Sequence, residues 1–219
     1  MVASTFKPFN GDLKMTEFAG FPKIPRYQRD IIITEKIDGT NAQIYIEELK
    51  TNAIYVKGVV GALWNNQDYA IYAGSRTRWI TPGDDNFGFA KWAKDNAEEL
   101  LRLGVGRHFG EWWGKGIQRG YGLGERRFSL FNTSRWGVDE LPKCCHVVPV
   151  LYRGPWMLPY NDEGIRGDAV TAIFDDLQRK GSMAAPGFMK PEGIVIYHTA
   201  GNLGFKMTYE KDDTGKRDE

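Results

Sequence analysis

The sequence predicts a single α+β domain built mostly on antiparallel β-sheet. Segments of alternating β-branched and aromatic residues, bounded by Gly, Asp or Pro, outnumber the amphipathic helical segments. No Pro/Gly-rich linker is long enough to separate two independent cores. This pattern is typical of strands joined by short connections with a few flanking helices. The predicted strands cover residues 31–37, 43–46, 54–60, 109–113, 128–131, 146–151, 193–197 and 203–207.

Two segments have apolar residues at helical spacing. Residues 86–103 repeat apolar side chains every three to four positions, follow polar residues that can cap a helix, and end before Gly104. Residues 168–180 have the same pattern, with Asp168 as the N-cap and Gly181 as the stop. Both segments are therefore predicted to be helices. The connections predicted to be exposed are 164–167 and 181–190.

The composition is that of an ordinary soluble globular protein. Hydrophobic residues make up 42% of the 219 residues, charged residues make up 26%, and the mean hydropathy is -0.45. No apolar run approaches the roughly 20 residues of a membrane span, and no secretory signal pattern starts the chain. Cys144 and Cys145 are sequence neighbours, which excludes a disulfide framework and predicts a cytoplasmic location. We expect a monomer with one domain over 1–210 and a polar tail over 211–219.

Basic residues concentrate in one stretch, although the formal net charge is only +1. Residues 101–130 contain six Lys or Arg residues and two Glu residues, with Trp112, Trp113 and Tyr121 among them. This mixture is typical of a local phosphate-binding surface. A mixed charged surface produces such a run by chance as well, so the composition alone leaves both interpretations open.

Lys36 is the first candidate for chemistry. It lies in an otherwise Ile-rich predicted strand, and Asp38-Gly39 follows with the positive φ that a tight turn requires. A desolvated lysine has a lowered pKa, and its neutral amine is then available as a nucleophile. An edge-strand lysine before an ordinary Asp-Gly hairpin turn has the same local pattern, and local physics does not distinguish the two.

Six short segments occur in the order of the motifs of covalent nucleotidyltransferases. Residues 36–41, Lys-Ile-Asp-Gly-Thr-Asn, resemble the K-x-D-G motif of DNA ligases, RNA ligases and mRNA-capping enzymes, and Glu35 with Asn41 is similar to the RNA ligase branch. The other segments are Ser75-Arg76-Thr77, Phe109-Gly110-Glu111-Trp112, Arg127-Phe128-Ser129-Leu130-Phe131, Glu192-Gly193-Ile194-Val195-Ile196 and Phe205-Lys206-Met207. Together they extend from residue 34 to residue 207, which is most of the chain.

This resemblance implies a nucleotidyltransferase (adenylation) domain of mainly antiparallel β-sheets with flanking helices and no OB-fold domain. It also implies an ATP-dependent RNA ligase that uses Mg²⁺ or Mn²⁺. Such an enzyme joins RNA 5′-phosphate and 3′-hydroxyl ends, including those of a nicked duplex, through a lysyl-AMP intermediate on Lys36. Two other functions stay open. One is a compact ATP-dependent DNA ligase, and the other is a nucleotide- or nucleic-acid-binding homologue without sealing activity.

The resemblance also assigns roles to further side chains, each of which has a plainer alternative. Glu192 precedes an apolar strand, which would put its carboxylate beside Lys36 to hold the metal, and the alternative is a strand-end cap. Glu111 is expected to accept hydrogen bonds from ribose hydroxyls, or else to pair with Arg107. The other residues implied to bind the nucleotide are Glu35, Asn41, Arg76, Phe131 and Lys206.

Chemistry supports several of these assignments. Phe131 offers a face on which a purine can stack, although a core position would explain it too. Arg76 and Lys206 would supply positive charge to phosphates, with an exposed strand lysine as the alternative for Lys206. Two positions depart from the family pattern. Asn132 stands where a carboxylate is common, and Thr208 stands where a second lysine is common, so roles at both positions stay open.

Overall fold

The computed structural model describes residues 17–50, 60–64, 67–136 and 141–210. Within these ranges the chain forms thirteen β-strands and three α-helices, with a short 3-10 helix at Leu101–Leu103. The strands are β1 (Asp30–Lys36), β2 (Thr40–Glu48), β3 (Val60–Trp64), β4 (Gln67–Gly74), β5 (Trp79–Ile80), β6 (Gly106–Gly114), β7 (Arg126–Leu130), β8 (Cys145–Val147), β9 (Val150–Pro155), β10 (Met157–Tyr160), β11 (Arg166–Asp168), β12 (Gly193–His198) and β13 (Leu203–Thr208). The helices are α1 (Phe89–Asp95), α2 (Ala97–Leu100) and α3 (Ala169–Lys180).

Most strands belong to two sheets. The small sheet has the order β13-β12-β1-β9, and its pairs are antiparallel. The large sheet has the order β3-β4-β2-β6-β7-β8, with β5 beside β4, and its β7–β8 pair is parallel. Strands β10 and β11 form a separate antiparallel ribbon. The predicted class, α+β with mainly antiparallel sheet, is confirmed.

Each sheet packs one face against helices. Ile44 of β2 and Phe89 of α1 belong to one buried cluster, and Ile33 of β1 and Leu177 of α3 belong to a second. Strand alternation sends every second residue of β1 and β2 to these helix-covered faces. The opposite faces of the two sheets line a common cleft of about 710 Å³. Two helix-covered cores with a cleft between them are therefore built from one continuous chain.

The chain crosses from the small sheet to the large sheet between Lys36 and Thr40. Strand β1 pairs with β12 and β9, whereas β2 pairs with β4 and β6, so Asp38-Gly39 does not close the predicted hairpin. Gly39 is not among the glycines with positive φ. A Cβ at Gly39 would lie 2.5 Å from the carbonyl oxygen of Trp112 and 2.7 Å from the Cβ of Trp113. The tight-turn interpretation is therefore wrong, and glycine is required because β6 passes directly beside the crossover.

The second predicted helix is confirmed with its caps. α3 follows Asp168, whose carboxylate accepts a hydrogen bond from the Thr171 amide at 2.9 Å. It ends at Gly181, which has a φ of 83° that favours glycine. None of the helices in the described ranges has the length and apolar character needed to cross a membrane.

The first predicted helix is present in pieces. Asn96 separates α1 from α2, and the 3-10 helix then ends at Gly104 with a φ of 77°. The carboxylate of Asp85 accepts hydrogen bonds from the amides of Ala90 and Lys91 at 2.8 and 2.9 Å. Asp85 therefore provides acceptors for free amides in the first turn of α1, although it lies three residues before Gly88, which directly precedes the helix. The segment is therefore helical as predicted, but it is not one continuous helix.

Six of the predicted strands coincide with β1, β2, β6, β7, β12 and β13. The predicted strand 54–60 lies outside the described residues except for Val60, which begins β3. The predicted strand 146–151 is two strands in different sheets, β8 and β9, separated at Pro149, which has no amide proton to donate. The pattern did not predict β4, β5, β10 and β11, and the predicted connection 164–167 overlaps β11. These strands are short or rich in small and polar residues, so they lack a clear alternating signal.

Gly39→Ala should destabilise the fold, because the added Cβ would meet β6 backbone and the buried Trp113. We expect the free energy of unfolding to fall by about 1 to 3 kcal/mol, measured by urea or thermal unfolding. Gly124→Ala is the matched control, since no atom lies within 4 Å of its Cβ position. Equal stability of the two variants would show that the crossover tolerates a side chain.

Candidate active site

The cleft between the two sheets gathers most of the side chains to which the sequence assigns a role. Glu192 adjoins it through contact with Lys36, and Lys206 lies on its small-sheet face. Arg76 is not among the residues that line it. The predicted site residues whose side chains face the cleft are Lys36, Asn41, Glu111 and Phe131, and Glu35 adjoins it from β1 with its carboxylate on the other side of the strand.

Lys36 and Glu192 form an ion pair at the wall of this cleft. Lys36 is the last residue of β1, and its partner across the strand pair is Gly193, the first residue of β12. The Lys36 Nζ donates to Glu192 Oε2 at 2.7 Å. The two side chains are 24% and 18% exposed, so the pair is partly shielded from water. The juxtaposition expected from the sequence is present, because both residues flank apolar strands that pair with each other.

Glu111 faces this pair from the large sheet. Its carboxylate accepts the Gly39 amide at 3.1 Å and the Asn41 side-chain amide at 3.3 Å, and it does not pair with Arg107. Only 8% of Glu111 is exposed. Burial raises the pKa of Glu111 to about 7, although the positive charge of Lys36 and the Gly39 amide lower it. The carboxyl group therefore accepts or donates hydrogen bonds near neutral pH, depending on its ligand.

Lys206 lies on the cleft face of the small sheet. Thr34 is opposite Val195, and Val195 is opposite Lys206, so the three side chains form one row across the sheet. Thr34 and Val195 line the cleft. The adjacent row places Thr208 across from Lys36, with a glycine between them. The departure from the family pattern therefore puts a hydroxyl, rather than a second ammonium, in the row of the candidate nucleophile.

Phe131 follows β7 on the wall of the cleft. Its side chain is 42% exposed, which excludes the core alternative and leaves a ring face for an aromatic ligand. Asn132 also lines the cleft, and its Oδ1 accepts the Arg135 amide at 3.1 Å. This hydrogen bond closes a turn that needs an acceptor and not a full charge. Asparagine therefore serves the local structure where the family commonly has a carboxylate.

Glu35 points away from the cleft. Alternation along β1 sends its side chain to the face opposite Lys36, where it is 1% exposed. Its carboxylate accepts hydrogen bonds from Ser182 Oγ, the Met183 amide and the Ala184 amide at 2.6, 2.8 and 2.9 Å. Burial raises the pKa of Glu35, and these donors act in the opposite direction. The predicted role of this side chain in cofactor binding is corrected: it anchors the connection after α3.

Arg76 occupies an exposed turn between β4 and β5. The register of β2 with β4 places Gln43 opposite Gly74, so this turn begins beside the first residues of β2, close to the crossover. Arg76 therefore lies near the start of β2, although it is not among the residues that line the cleft.

Asp38 is held by a clamp that the sequence pattern does not predict. Arg119 Nε donates to Asp38 Oδ2 at 3.0 Å, and Arg119 Nη2 donates to Glu210 Oε2 at 3.2 Å. The Asp38 amide donates to the hydroxyl of Tyr121 at 2.8 Å. Arg119 and Tyr121 lie in a glycine-rich loop after β6, and several of its glycines have positive φ. The high glycine content of this segment was the signal in the sequence for a loop of unusual course.

The basic stretch 101–130 does not form one free cationic surface. Arg126 donates to the carbonyls of Lys115 and Phe87, and Arg127 pairs with Glu125 at 2.7 Å. Arg119 is part of the clamp on Asp38. These three guanidinium groups already have partners within the fold. The better interpretation is therefore that the basic run reflects a mixed charged surface and not a phosphate-binding surface.

Carboxylates near Lys36 are the available metal ligands. No group of three or more His, Cys, Asp or Glu side chains suited to a metal ion occurs in the part of the chain that the structure describes. Mg²⁺ is commonly bound through one or two carboxylates, and water and substrate phosphates complete its shell. Glu192, which contacts Lys36, and the nearby Glu111 provide that number. The site therefore fits a hard divalent cation that arrives together with a phosphorylated ligand.

A family model described as RNA ligase matches residues 29–211. No curated protein matches the sequence. Among solved structures, the apo form of a mutant of Naegleria gruberi RNA ligase is 18% identical with a TM-score of 0.50, over 82% of this chain and 49% of that chain. The same enzyme with PPi gives 18% identity, a TM-score of 0.50 and coverage of 82% and 49%. A further mutant of that enzyme, with ATP and Mn, is 17% identical with a TM-score of 0.50, over 83% of this chain and 50% of that chain.

The structural matches show a shared fold, and this chain spans about half the length of the Naegleria enzyme. The match to the family model extends over residues 29–211. These residues include the crossover, the clamp on Asp38, both sheets and all six motif segments. By that match, which covers well over half of its residues, the chain belongs to the RNA ligase family.

Proposed function

We propose that this chain is an ATP-dependent RNA ligase that joins 5′-phosphate and 3′-hydroxyl ends through a lysyl-AMP intermediate. The observation that carries the proposal is the Lys36 amine, held at the cleft wall 2.7 Å from Glu192. Membership of the RNA ligase family supports it. So does the fold shared with the Naegleria RNA ligase, whose structures include complexes with ATP and Mn and with PPi.

In the first step, the Lys36 ammonium group releases a proton to solvent, the resulting amine attacks the α-phosphorus of ATP, and its nitrogen releases a second proton as the phosphoramidate forms. A nitrogen–phosphorus bond forms, the bond from the α-phosphorus to the bridging oxygen breaks, and pyrophosphate leaves. A 5′-phosphate oxygen of RNA then takes the AMP and frees Lys36, and a 3′-hydroxyl displaces AMP to form the phosphodiester. Because each displacement is in line at phosphorus, the protein contributes mainly positioning and charge.

Four cleft residues position the nucleotide in this proposal. Phe131 stacks against the purine, for which its exposed ring is suited. Glu111, held by the side-chain amide of Asn41, accepts a hydrogen bond from a ribose hydroxyl. Lys206 supplies positive charge to the phosphates from the small-sheet face. Arg76, in the exposed turn after β4 and two residues beyond the partner of Gln43, adds positive charge for the phosphates in the same proposal.

Glu192 is the proposed protein ligand of Mg²⁺ or Mn²⁺. When bound, the ion neutralises charge on phosphate oxygens. In the protein alone, the same carboxylate accepts a hydrogen bond from Lys36 and holds its nitrogen at the cleft wall. The Glu192 side chain therefore has two roles in this proposal: it positions the Lys36 nitrogen and it binds the cation.

We also propose the compartment, the oligomeric state and the substrates of the protein. Cys144 and Cys145 are free thiols with their Sγ atoms 3.8 Å apart, which supports a reducing compartment such as the cytoplasm. We propose that residues 1–210 act as one domain in a monomer. The substrates are RNA strands with 5′-phosphate and 3′-hydroxyl ends, including nicked duplexes, and the role is nucleic-acid repair.

Lys36→Ala should abolish covalent AMP attachment, because it removes the attacking nitrogen. We expect the label transferred from [α-³²P]ATP to the protein to fall by at least about 10³-fold. Lys180→Ala is the matched control, since Lys180 forms an ion pair of the same 2.7 Å length with Asp176 on α3. Covalent label on Lys36→Ala at the level of the control would overturn the assignment.

Glu192→Gln should keep the side-chain shape but remove the charge that holds Lys36 and the cation. We expect lysyl-AMP formation to slow by about 10²-fold or more, and EDTA to abolish it in the unmodified protein. Glu125→Gln, which also loses a 2.7 Å ion pair with an arginine, is the control and should retain the rate. Full activity in excess EDTA would contradict the metal role.

A further inference from the structure

The cleft face of the large sheet continues past the nucleotide site as a cluster of aromatic rings. Along β2 this face carries Asn41, Gln43 and Tyr45, and Tyr45 is directly opposite Tyr72 on β4 and Arg107 on β6. Directly opposed residues in an antiparallel pair share a face of the sheet. Tyr45 therefore shares the cleft face with Asn41 and lies about 13 Å further along the strand.

We call Tyr45, Tyr72, Trp79 and Arg107 the aromatic platform. The ring centroids of Tyr72 and Trp79 are 5.4 Å apart, those of Tyr45 and Tyr72 are 5.6 Å apart, and those of Tyr45 and Trp79 are 6.2 Å apart. Trp79 is 43% exposed. A large indole left open within a cluster of rings is the kind of surface on which another planar group can stack.

Arg107 adds positive charge to these rings. Its guanidinium carbon lies 4.6 Å from the centroid of the Tyr45 ring and 5.4 Å from that of Trp79. Its Nη1 donates to Gln43 Oε1 at 3.1 Å, which fixes the group while the side chain stays exposed. A fixed planar cation beside aromatic rings suits a ligand that has both flat rings and phosphates.

Acidic groups near the platform already have partners. Glu47, at its outer end, accepts the hydroxyl groups of Tyr72 and Tyr45 at 2.5 and 3.4 Å. Asp84 forms two hydrogen bonds with Arg78, the residue before Trp79. Arg78 neutralises the charge of Asp84, whereas the tyrosine hydroxyls hold Glu47 at the outer end of the platform and leave it charged.

The platform is continuous with the cleft. Arg107 and Phe109 line the cleft together with Glu111, and the three alternate along β6 on the same face. Phe109 is 53% exposed and lies between the platform and the nucleotide site. A chain that leaves the reacting centre along this face therefore meets an aromatic ring, then a guanidinium group, then three further rings.

We propose that the aromatic platform binds unpaired nucleotides next to the RNA end that is being joined. Single-stranded segments expose base faces, and stacking of those faces on aromatic side chains holds them without strong sequence preference. Paired bases in a duplex are not open to such stacking. The proposal rests on the RNA ligase function proposed above, and of the basic stretch 101–130 it uses Arg107 and not Arg119, Arg126 or Arg127.

The test compares Trp79→Ala with the unmodified protein. Binding of a 5′-phosphorylated, single-stranded RNA 12-mer is measured by fluorescence anisotropy across a salt series. We expect Trp79→Ala to weaken binding by about 5- to 100-fold, the effect of one lost stacking contact, with an unchanged salt slope because no charge is removed. Trp79→Phe should restore most of the affinity, and Arg107→Gln should lower the salt slope by about one.

Tyr160→Ala is the matched control, because Tyr160 is 67% exposed and has Arg166 5.5 Å from its ring, away from the cleft. It should bind the 12-mer like the unmodified protein. Unchanged affinity of Trp79→Ala, an equal loss in Tyr160→Ala, or an equal loss for a blunt RNA duplex would each overturn the platform. Lysyl-AMP formation by the unmodified protein, assayed without RNA, separates this result from failure of the proposed function.

Discussion

The passage of the chain from one sheet to the other within a few residues is the constraint on which the site depends. Lys36 ends a strand of the small sheet and Asn41 belongs to a strand of the large sheet, so covalent connectivity alone brings them to one edge of the cleft. The passage is possible because Gly39 leaves room for the backbone of β6. Glu111 of β6 then accepts hydrogen bonds from Gly39 and Asn41, which joins the crossover to the strand beside it.

The same crossover produces an unusual balance of charge. Lys36 interacts with Glu192 at 2.7 Å and, across the cleft, with Glu111, whose pKa is raised to about 7 by burial. A phosphate that enters such a site meets two carboxyl groups and needs added positive charge, because unpaired charges are costly where water is partly excluded. Lys206 and a divalent cation held by Glu192 would meet that need. In the proposed function, the ligand and the cation therefore bind together.

Two residues next to Lys36 hold other parts of the fold in place through their side chains. Glu35 precedes Lys36, yet strand alternation sends it to the opposite face, where it holds the connection after α3. Asp38 follows two residues later and is clamped by Arg119 and Tyr121. These contacts attach two separate segments, the connection after α3 and the loop after β6, to the short stretch that carries Lys36. The geometry of Lys36 is thus set by many local hydrogen bonds, and proximity in sequence to a reactive residue is a poor guide to a role in its chemistry.

Local periodicity and capping determined the α+β class and the helix α3 between Asp168 and Gly181, because each depends on neighbouring residues. The resemblance in motifs implied that Glu192 lies beside Lys36, and the pairing of β1 with β12 brings the two together. Strand partnership was decided only by the tertiary structure. An Asp-Gly pair between two strand patterns is compatible with a hairpin and with a passage between sheets, and the pairing of β1 with β12 instead of β2 selects the second. The place of Arg76 has the same origin, because the position of an exposed turn depends on pairings between strands that are distant in sequence.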